Sequence, residues 1–360
     1  MAEQASRVAV LGAGTVGREV VIHLLTDWTS DYDVAGIAVR DVPKAEAGGM
    51  PAQLLTDAPA HLVADGPDVL VELMGGEEPA RTLIEAALGA GIPVVTANKY
   101  VVARHGAALE AVARRTKTPF RFEAAVMGGT PILRMLAEDL AATNIRSLRG
   151  IVNGTTNHIL TEMATRGLTY EAALAGAQAA GYAEADPTGD VEGGDAADKL
   201  VILARLAFGV WLDRASVVTA RKGERPGITG VTAEDLAAAR ERGQAIRLLA
   251  SASRAPDGTI DAHVLPTEVP SDSPLGQTDG VRNRIEIESD RLGWIGIEGP
   301  GAGGAATAAA VLADVAAIVA GGGSTWSALP PATTGRSAGS VGAVGSAGAT
   351  GATGAAIPVG

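Results

Sequence analysis

The segment Gly181–Leu200, GYAEADPTGDVEGGDAADKL, gathers Glu184, Asp186, Asp190, Glu192, Asp195, Asp198 and Lys199 in a chain otherwise rich in apolar residues, alanine and glycine. A helix starting near Asp195 and running through AADKLVILARLAFGV turns about 100° per residue, so Asp195 and Lys199 share a face with Ile202, Leu203 and Leu206. Asp198 and Arg205 cluster together well away from that face. Lys199 therefore rises from largely apolar surroundings, where an unpaired ammonium is costly and the carboxylate one turn earlier is its natural partner. An ordinary helix ion pair has the same spacing. The Gly- and Pro-containing loop before the helix adds carboxylates, which suit a ligand amine. A lysine so placed can give a proton to a carbonyl oxygen if its environment lowers its pKa, as partial burial does.

Other segments supply what such chemistry needs. VAVLGAGTVGREV places Gly12, Gly14 and Gly17 in the G-x-G-x-x-G spacing, after a strand pattern and at the start of a helix pattern. There glycines permit a tight turn and close backbone approach to a pyrophosphate, and the helix N-terminus offers free N–H groups. At the end of the next strand-like run stand Arg40 and Asp41. Arg40 can pair with a 2′-phosphate and favours NADP, whereas Asp41 can bind a free hydroxyl and leaves NAD possible. VVTANKY puts Thr96, Asn98 and Lys99 at another strand's carboxyl end, where open α/β sheets bind ligands. IVNGTTNHIL offers Asn153, Gly154, Thr155 and Thr156 ahead of a helix pattern, suited to a carboxylate or simply to an Asn-Gly turn with an N-cap. His158 reads as a packed residue, and the other histidines stand in no metal-ligand spacing.

These residues must be positioned by two kinds of layer. RVAVLG, GREVVIHLLTDW, VAGIAVR, VLVELMG, PARTLIEAALGAG and IPVVTANK alternate strand and helix patterns, the form of a parallel sheet covered on both faces. Helical stretches follow near Asp195–Val210 and Ala233–Ser251, with strand-like runs IDAHVLP, RIEIES and LGWIGIEG. The fold class is α/β: a Rossmann-type parallel-sheet nucleotide domain, then an α+β domain for catalysis with a mixed or antiparallel sheet. The 360 residues, 47% hydrophobic, can bury a core, and the absence of cysteine excludes disulfides and thiolate chemistry. A net charge of −12 disfavours nucleic acid or an anionic membrane as partner. No leader or spanning segment is evident, so a cytoplasmic location is expected. From 321 to 360 the composition collapses to Gly, Ser, Ala and Thr, which predicts a flexible tail.

Taken in order, GAGTVG, ELMGGEEPARTLIEAALGAGIPVVTANK, FEAAVMGGTPI, IVNGTTNHIL, the charged segment, GITGVTAEDL and GPGAGGAATAAAVLADV resemble homoserine dehydrogenases from about Arg7 to Ala320. The resemblance implies NAD(P)-dependent interconversion of L-aspartate 4-semialdehyde and L-homoserine, in threonine and methionine biosynthesis. It matches Lys199 to the proton donor and Lys99 to a second active-site lysine near nicotinamide and substrate. It places Glu184, Asp195, Tyr182, Gly154 and Thr155 at the substrate, with Glu184 facing its ammonium. Thr15, Val16, Arg40, Gly75 and Gly303 join the glycine loop as cofactor contacts. Glu123, Val126, Gly128 and Thr130 become a sodium site made largely of backbone oxygens. The nucleotide domain becomes discontinuous, 1–130 with 299–320, around a catalytic and dimerisation domain, 131–298, and a homodimer is expected. Many members carry a C-terminal ACT domain through which threonine inhibits; here the tail stands in that place, so weak or absent threonine inhibition is expected.

Overall fold

The computed structural model describes residues 5–339. Six strands, β1 (Ser6–Leu11), β2 (Tyr32–Ala38), β3 (Leu55–Thr56), β4 (Val69–Glu72), β5 (Val94–Thr96) and β6 (Phe120–Arg121), form one sheet in the order β3-β2-β1-β4-β5-β6, every pair parallel. This is the Rossmann strand order. Successive side chains point to opposite faces, so an apolar run serves two cores at once. Val8, Val10, Val69, Val71 and Val95 pack with α1 (Thr15–Thr26) and α12 (Gly304–Val319), whereas Ala9, Leu11, Leu70 and Val94 pack with α3 (Pro59–Ala64), α4 (Ala80–Gly89) and α5 (Lys99–Thr116). A short α2 (Val42–Ala47) follows β2, and the three-residue α6 (Ile132–Arg134) leads out of this layer.

The second sheet is antiparallel. It holds β7 (Ile145–Ile151), β9 (Gln244–Arg254), β10 (Ile260–Pro270), β11 (Arg282–Ser289) and β12 (Gly293–Pro300) in the order β10-β9-β7-β11-β12. Between β7 and β9 come α7 (Gly154–Arg166), α8 (Tyr170–Ala179), the one-turn α9 (Thr188–Val191), α10 (Gly194–Phe208), β8 (Val210–Leu212) and α11 (Ala233–Glu241). Helix α10 is buried nearly all round, with Leu200 to Leu203 fully enclosed. After β12 the chain returns to the parallel sheet, where α12 lies against α1.

Two expectations are corrected. The helix expected over Ala233–Ser251 stops at Glu241, and Gln244 starts β9. Gly243, at φ +71°, takes the left-handed turn between them, and the following residues pair with β10 along their whole length. The tail expected to be flexible from 321 packs as far as 339: Trp326 is buried against Phe120, Phe122 and Trp211, and β13 (Thr333–Gly335) runs parallel to β8. One large aromatic and a few backbone hydrogen bonds anchor this low-complexity segment; residues 340–360 of the expected tail lie outside the described residues. Among the described residues no helix is long and apolar enough to cross a membrane.

Candidate active site

Where the carboxyl ends of β5 and β7 approach the start of α10, one carboxylate organises several polar groups. Asp195 lies in the first turn of α10, which begins behind Gly193 at φ +83°. Its Oδ2 accepts hydrogen bonds from Lys199 Nζ (2.7 Å) and Asn153 Nδ2 (2.8 Å), and its Oδ1 lies 3.0 Å from Lys99 Nζ. Lys199 also donates to the Val152 carbonyl at 2.7 Å. Asn153 Nδ2 reaches Asp190 Oδ1 at 2.7 Å, so one amide bridges two carboxylates. Lys199 and Asp195 come from one helix, Lys99 from the first turn of α5, and Asn153 from the turn after β7.

Charge pairing decides the ionisation here. Burial opposes the Asp195 carboxylate, but Lys199 and Lys99 outweigh it and hold the carboxyl well below the usual carboxylate range. At Asp190 burial and the Asp195 charge push the carboxyl up. Burial also works against the Lys99 ammonium, yet Asp195 more than offsets it and the Lys99 pKa is raised. At Lys99 a buried carboxylate in direct contact therefore counts for more than lost hydration. The Lys99 ammonium also sits over the Tyr100 ring, 4.9 Å from its centroid.

The rim is formed by the start of α7. Asn153 caps that helix, its Oδ1 accepting from Thr156 N at 2.9 Å. A Cβ on Gly154 would lie 2.7 Å from the Val281 carbonyl oxygen, so only glycine fits there. Thr155 Oγ1 donates to the Tyr182 carbonyl at 2.8 Å, and the half-exposed Tyr182 ring meets His158 edge-on. Glu184 lies on the exposed loop before α9; its carbonyl accepts from Gln178 Nε2, and its carboxylate joins none of the bonds around Asp195. Asp198 and Arg205 do not pair with each other: Asp198 accepts from Arg214 at 2.7 Å and Arg205 binds Glu110. Sequence spacing brings Asp195 to Lys199, but the Asn153 bridge to Asp190 depends on the start of α7 lying beside α9, which spacing does not encode.

The glycine loop is shaped for a phosphate-bearing ligand. Gly12 has φ +101°, and a Cβ there would lie 2.6 Å from the Leu73 carbonyl oxygen; one on Gly17 would meet the Gly12 carbonyl oxygen. A Cβ on Gly14, by contrast, would meet nothing within 4 Å. Thr15 and Val16 open α1, whose first turn has no side-chain cap, and α12 likewise starts uncapped behind Gly303 at φ +125°. Gly304 stands against Thr15, so two uncapped helix N-termini converge, an arrangement that favours anions. Gly75, at φ +71°, is also open on its Cβ side. Arg40 is exposed, while Asp41 accepts from Lys44 N at 3.0 Å as the cap of α2. The open glycines and free helix N–H groups fit a dinucleotide.

Comparison with known proteins bears on most of the chain. The family model described as the NAD-binding domain of homoserine dehydrogenase matches residues 12–123, and the homoserine dehydrogenase model matches 131–316. The chain belongs to the homoserine dehydrogenase family. As a homoserine dehydrogenase it is an NAD(P)-dependent oxidoreductase. It is 41% identical over 350 residues to the homoserine dehydrogenase of Corynebacterium glutamicum, covering 92% of this chain and 77% of the relative. The homoserine dehydrogenase of Mycobacterium leprae is 43% identical over 326 residues, covering 87% of this chain and 72% of the relative. Among solved structures, a Thiobacillus denitrificans homoserine dehydrogenase has a TM-score of 0.84 at 38% identity, over 92% of this chain and 79% of that one. A hyperthermophilic archaeal homoserine dehydrogenase in complex with NADPH has a TM-score of 0.75 at 30% identity, over 88% of this chain and 98% of that one.

In this family member the segment FEAAVMGGT folds at the seam between the two sheets. Met127 and Gly128 both take positive φ, 56° and 51°. The Glu123 carboxylate accepts from Leu133 N and Arg134 N at 2.8 Å each; burial and the neighbouring Asp314 push it up to about 7. Thr130 Oγ1 donates to the Pro300 carbonyl at 3.3 Å. Among the described residues no group of three or more His, Asp or Glu side chains could hold a metal ion.

Proposed function

We propose that this enzyme interconverts L-aspartate 4-semialdehyde and L-homoserine with NADP(H), in threonine and methionine biosynthesis, and that Lys199 gives the aldehyde oxygen its proton. The observation that carries this reading is the pair of ammonium groups, Lys99 and Lys199, held on the buried Asp195 carboxylate. Gly12, Gly14, Thr15, Val16, Gly17, Arg40, Gly75, Lys99 and Gly303 would hold the dinucleotide, which supplies or accepts a hydride when bound. Arg40 reads its 2′-phosphate, since the Asp41 carboxylate is engaged as a helix cap; the archaeal relative in complex with NADPH supports the same choice.

The chain's own residues do the rest. Lys99, its ammonium stabilised by Asp195, stays charged and draws the carbonyl oxygen into place. Lys199 releases a proton from Nζ to that oxygen and recovers it in the reverse direction, while Asp195 keeps the amine aimed. Glu184 meets the substrate ammonium, and the N-terminal turn of α7, at Gly154 and Thr155, meets its carboxylate beside Tyr182. The nucleotide is held by residues 1–130 with 299–320, and the substrate by 131–298, through which two copies associate in a cytoplasmic homodimer.

A sodium ion at Glu123, Val126, Gly128 and Thr130 belongs to the same reading. The Val126 and Gly128 carbonyl oxygens accept no hydrogen bond from the described residues, and both residues are buried, a donor set suited to a hard monovalent cation. Following nicotinamide oxidation with L-aspartate 4-semialdehyde, in parallel with NADPH and NADH and in sodium or a bulky organic cation, tests all three points. Faster turnover with NADPH in sodium is expected. Equal turnover with NADH would count against Arg40, and no turnover with either would overturn the assignment of substrate.

A further inference from the structure

Glu72 ends β4 with no exposure to solvent, in the middle of the parallel sheet and in register with Leu11 of β1 and Thr96 of β5. Val69, Leu70 and Val71 before it are all buried, so another branched apolar residue would complete the strand without enclosing a carboxyl group. Among the described residues no lysine or arginine is paired with it. Its two oxygens go instead to two different turns. Oε1 accepts from Met74 N at 2.8 Å, in the turn that presents Gly75, and Oε2 accepts from Thr96 Oγ1 at 2.6 Å, in the turn that presents Lys99. The Thr96 hydroxyl in turn accepts from Asn98 N at 2.9 Å, and Asn98 Nδ2 crosses back to the Gly76 carbonyl at 2.7 Å. Asn98 Oδ1 also accepts from Val101 N, as the cap of α5. The turns after β4 and β5 are therefore tied twice, and both ties meet at the crevice where open sheets bind their ligands. Burial raises the Glu72 carboxyl, while the hydrogen bonds from Thr96 and Met74 pull the other way, in keeping with a group that receives hydrogen bonds instead of facing a cation.

We propose that Glu72 is a positioning residue of this enzyme: through Met74 N and the Thr96 hydroxyl it fixes the spacing between the Gly75 peptide and the Lys99 ammonium across the cofactor crevice. The proposal rests on the reading of that crevice as the NADP(H) site. Gly75 has no side chain to hold it, and Lys99 hangs from the first residue of a helix whose cap is part of the tie. Loosening Glu72 leaves every group that touches cofactor or substrate in the sequence but lets two of them drift.

The test compares Glu72→Gln, Thr96→Val and Thr96→Ser with the wild-type chain in kcat, KM for the semialdehyde, NADPH dissociation constant and thermal midpoint. Glutamine has one acceptor oxygen for two donors, valine removes the hydroxyl without changing its shape, and serine keeps it. A displacement of reacting groups on the ångström scale costs up to about a hundredfold, so kcat should fall roughly ten- to a hundredfold in Glu72→Gln and Thr96→Val. In Thr96→Ser it should stay within about threefold of wild type, with the semialdehyde KM little changed in all three. If Glu72→Gln does not fold, the Thr96 pair decides alone. A lowered thermal midpoint with kcat intact in Thr96→Val, or a Thr96→Ser as slow as Thr96→Val, would overturn the proposal and leave Glu72 a purely structural group. A wild-type chain that neither binds NADPH nor turns over would instead overturn the functional reading on which the proposal rests.

Discussion

Asp195 serves two ammonium groups with one carboxylate, and its ionisation is the most consequential at the site. Its folded pKa is depressed, so it stabilises the fold fully above the ordinary carboxylate value of about 3.9 and loses that contribution as pH falls toward the folded value. Denaturant midpoints of the wild type and Asp195→Asn should therefore differ most near neutral pH and converge in acid below about pH 4. A difference that persisted unchanged into strong acid would mean that the ion pairs contribute little. At this scale the sequence was legible where spacing alone sets contact: Asp195 and Lys199 stand one helical turn apart and do pair. It was not legible where a partner comes from another element, as with Asn153 bridging to Asp190, Arg214 on Asp198, or the raised Lys99, whose carboxylate is distant in the chain.

At the scale of elements, glycines control how closely the site's turns approach. Gly12 packs under the Leu73 carbonyl in a conformation that side chains rarely adopt. Gly12→Ala should cost about 1–3 kcal/mol from backbone strain, with the overlap on Leu73 adding to it, and should weaken NADPH binding. Thermal unfolding and a fluorescence titration would show both, and an unchanged midpoint would contradict the geometry. The strand–loop–helix pattern around Gly12 was readable because local turn chemistry determines it. The same kind of reading carried the helix of α11 too far, since ERGQAIRLLASASR contains enough helix formers to continue it. Only the left-handed Gly243 and the long pairing with β10 turn those residues into β9. Similarly, low complexity hid the order of 321–339, where the decisive residue is a single Trp326 packing against Phe120 and Phe122.

Across the whole molecule, α5 joins the site to the core that holds both sheets' helices together. Lys99 begins it at the crevice; three turns on, Glu110 accepts from Arg205 of α10, Trp211 of β8 and Arg114. Arg205 has no exposed side-chain surface, and both arginines also donate to carbonyls of the C-terminal segment, at Leu329 and Pro330. Burial opposes the Glu110 carboxylate, but Arg205 and Trp211 hold its pKa below the usual value. Removing one partner of a buried pair strands the other, so Glu110→Ala should cost about 3–5 kcal/mol, read as a lower denaturant midpoint. Glu110→Ala and a chain ending at residue 320 should each destabilise, and their effects should not add, because they act on one network.

The most direct measurement is kcat of Lys199→Ala beside wild type, with NADPH binding determined on both. Lys199 touches no residue that shapes the glycine loop, so NADPH should bind the variant as it binds wild type. Loss of a positioned proton donor should lower kcat by about 10²–10⁴ with the semialdehyde. Turnover within a few fold of wild type, in a variant that still binds NADPH, would contradict the assignment of proton transfer to Lys199.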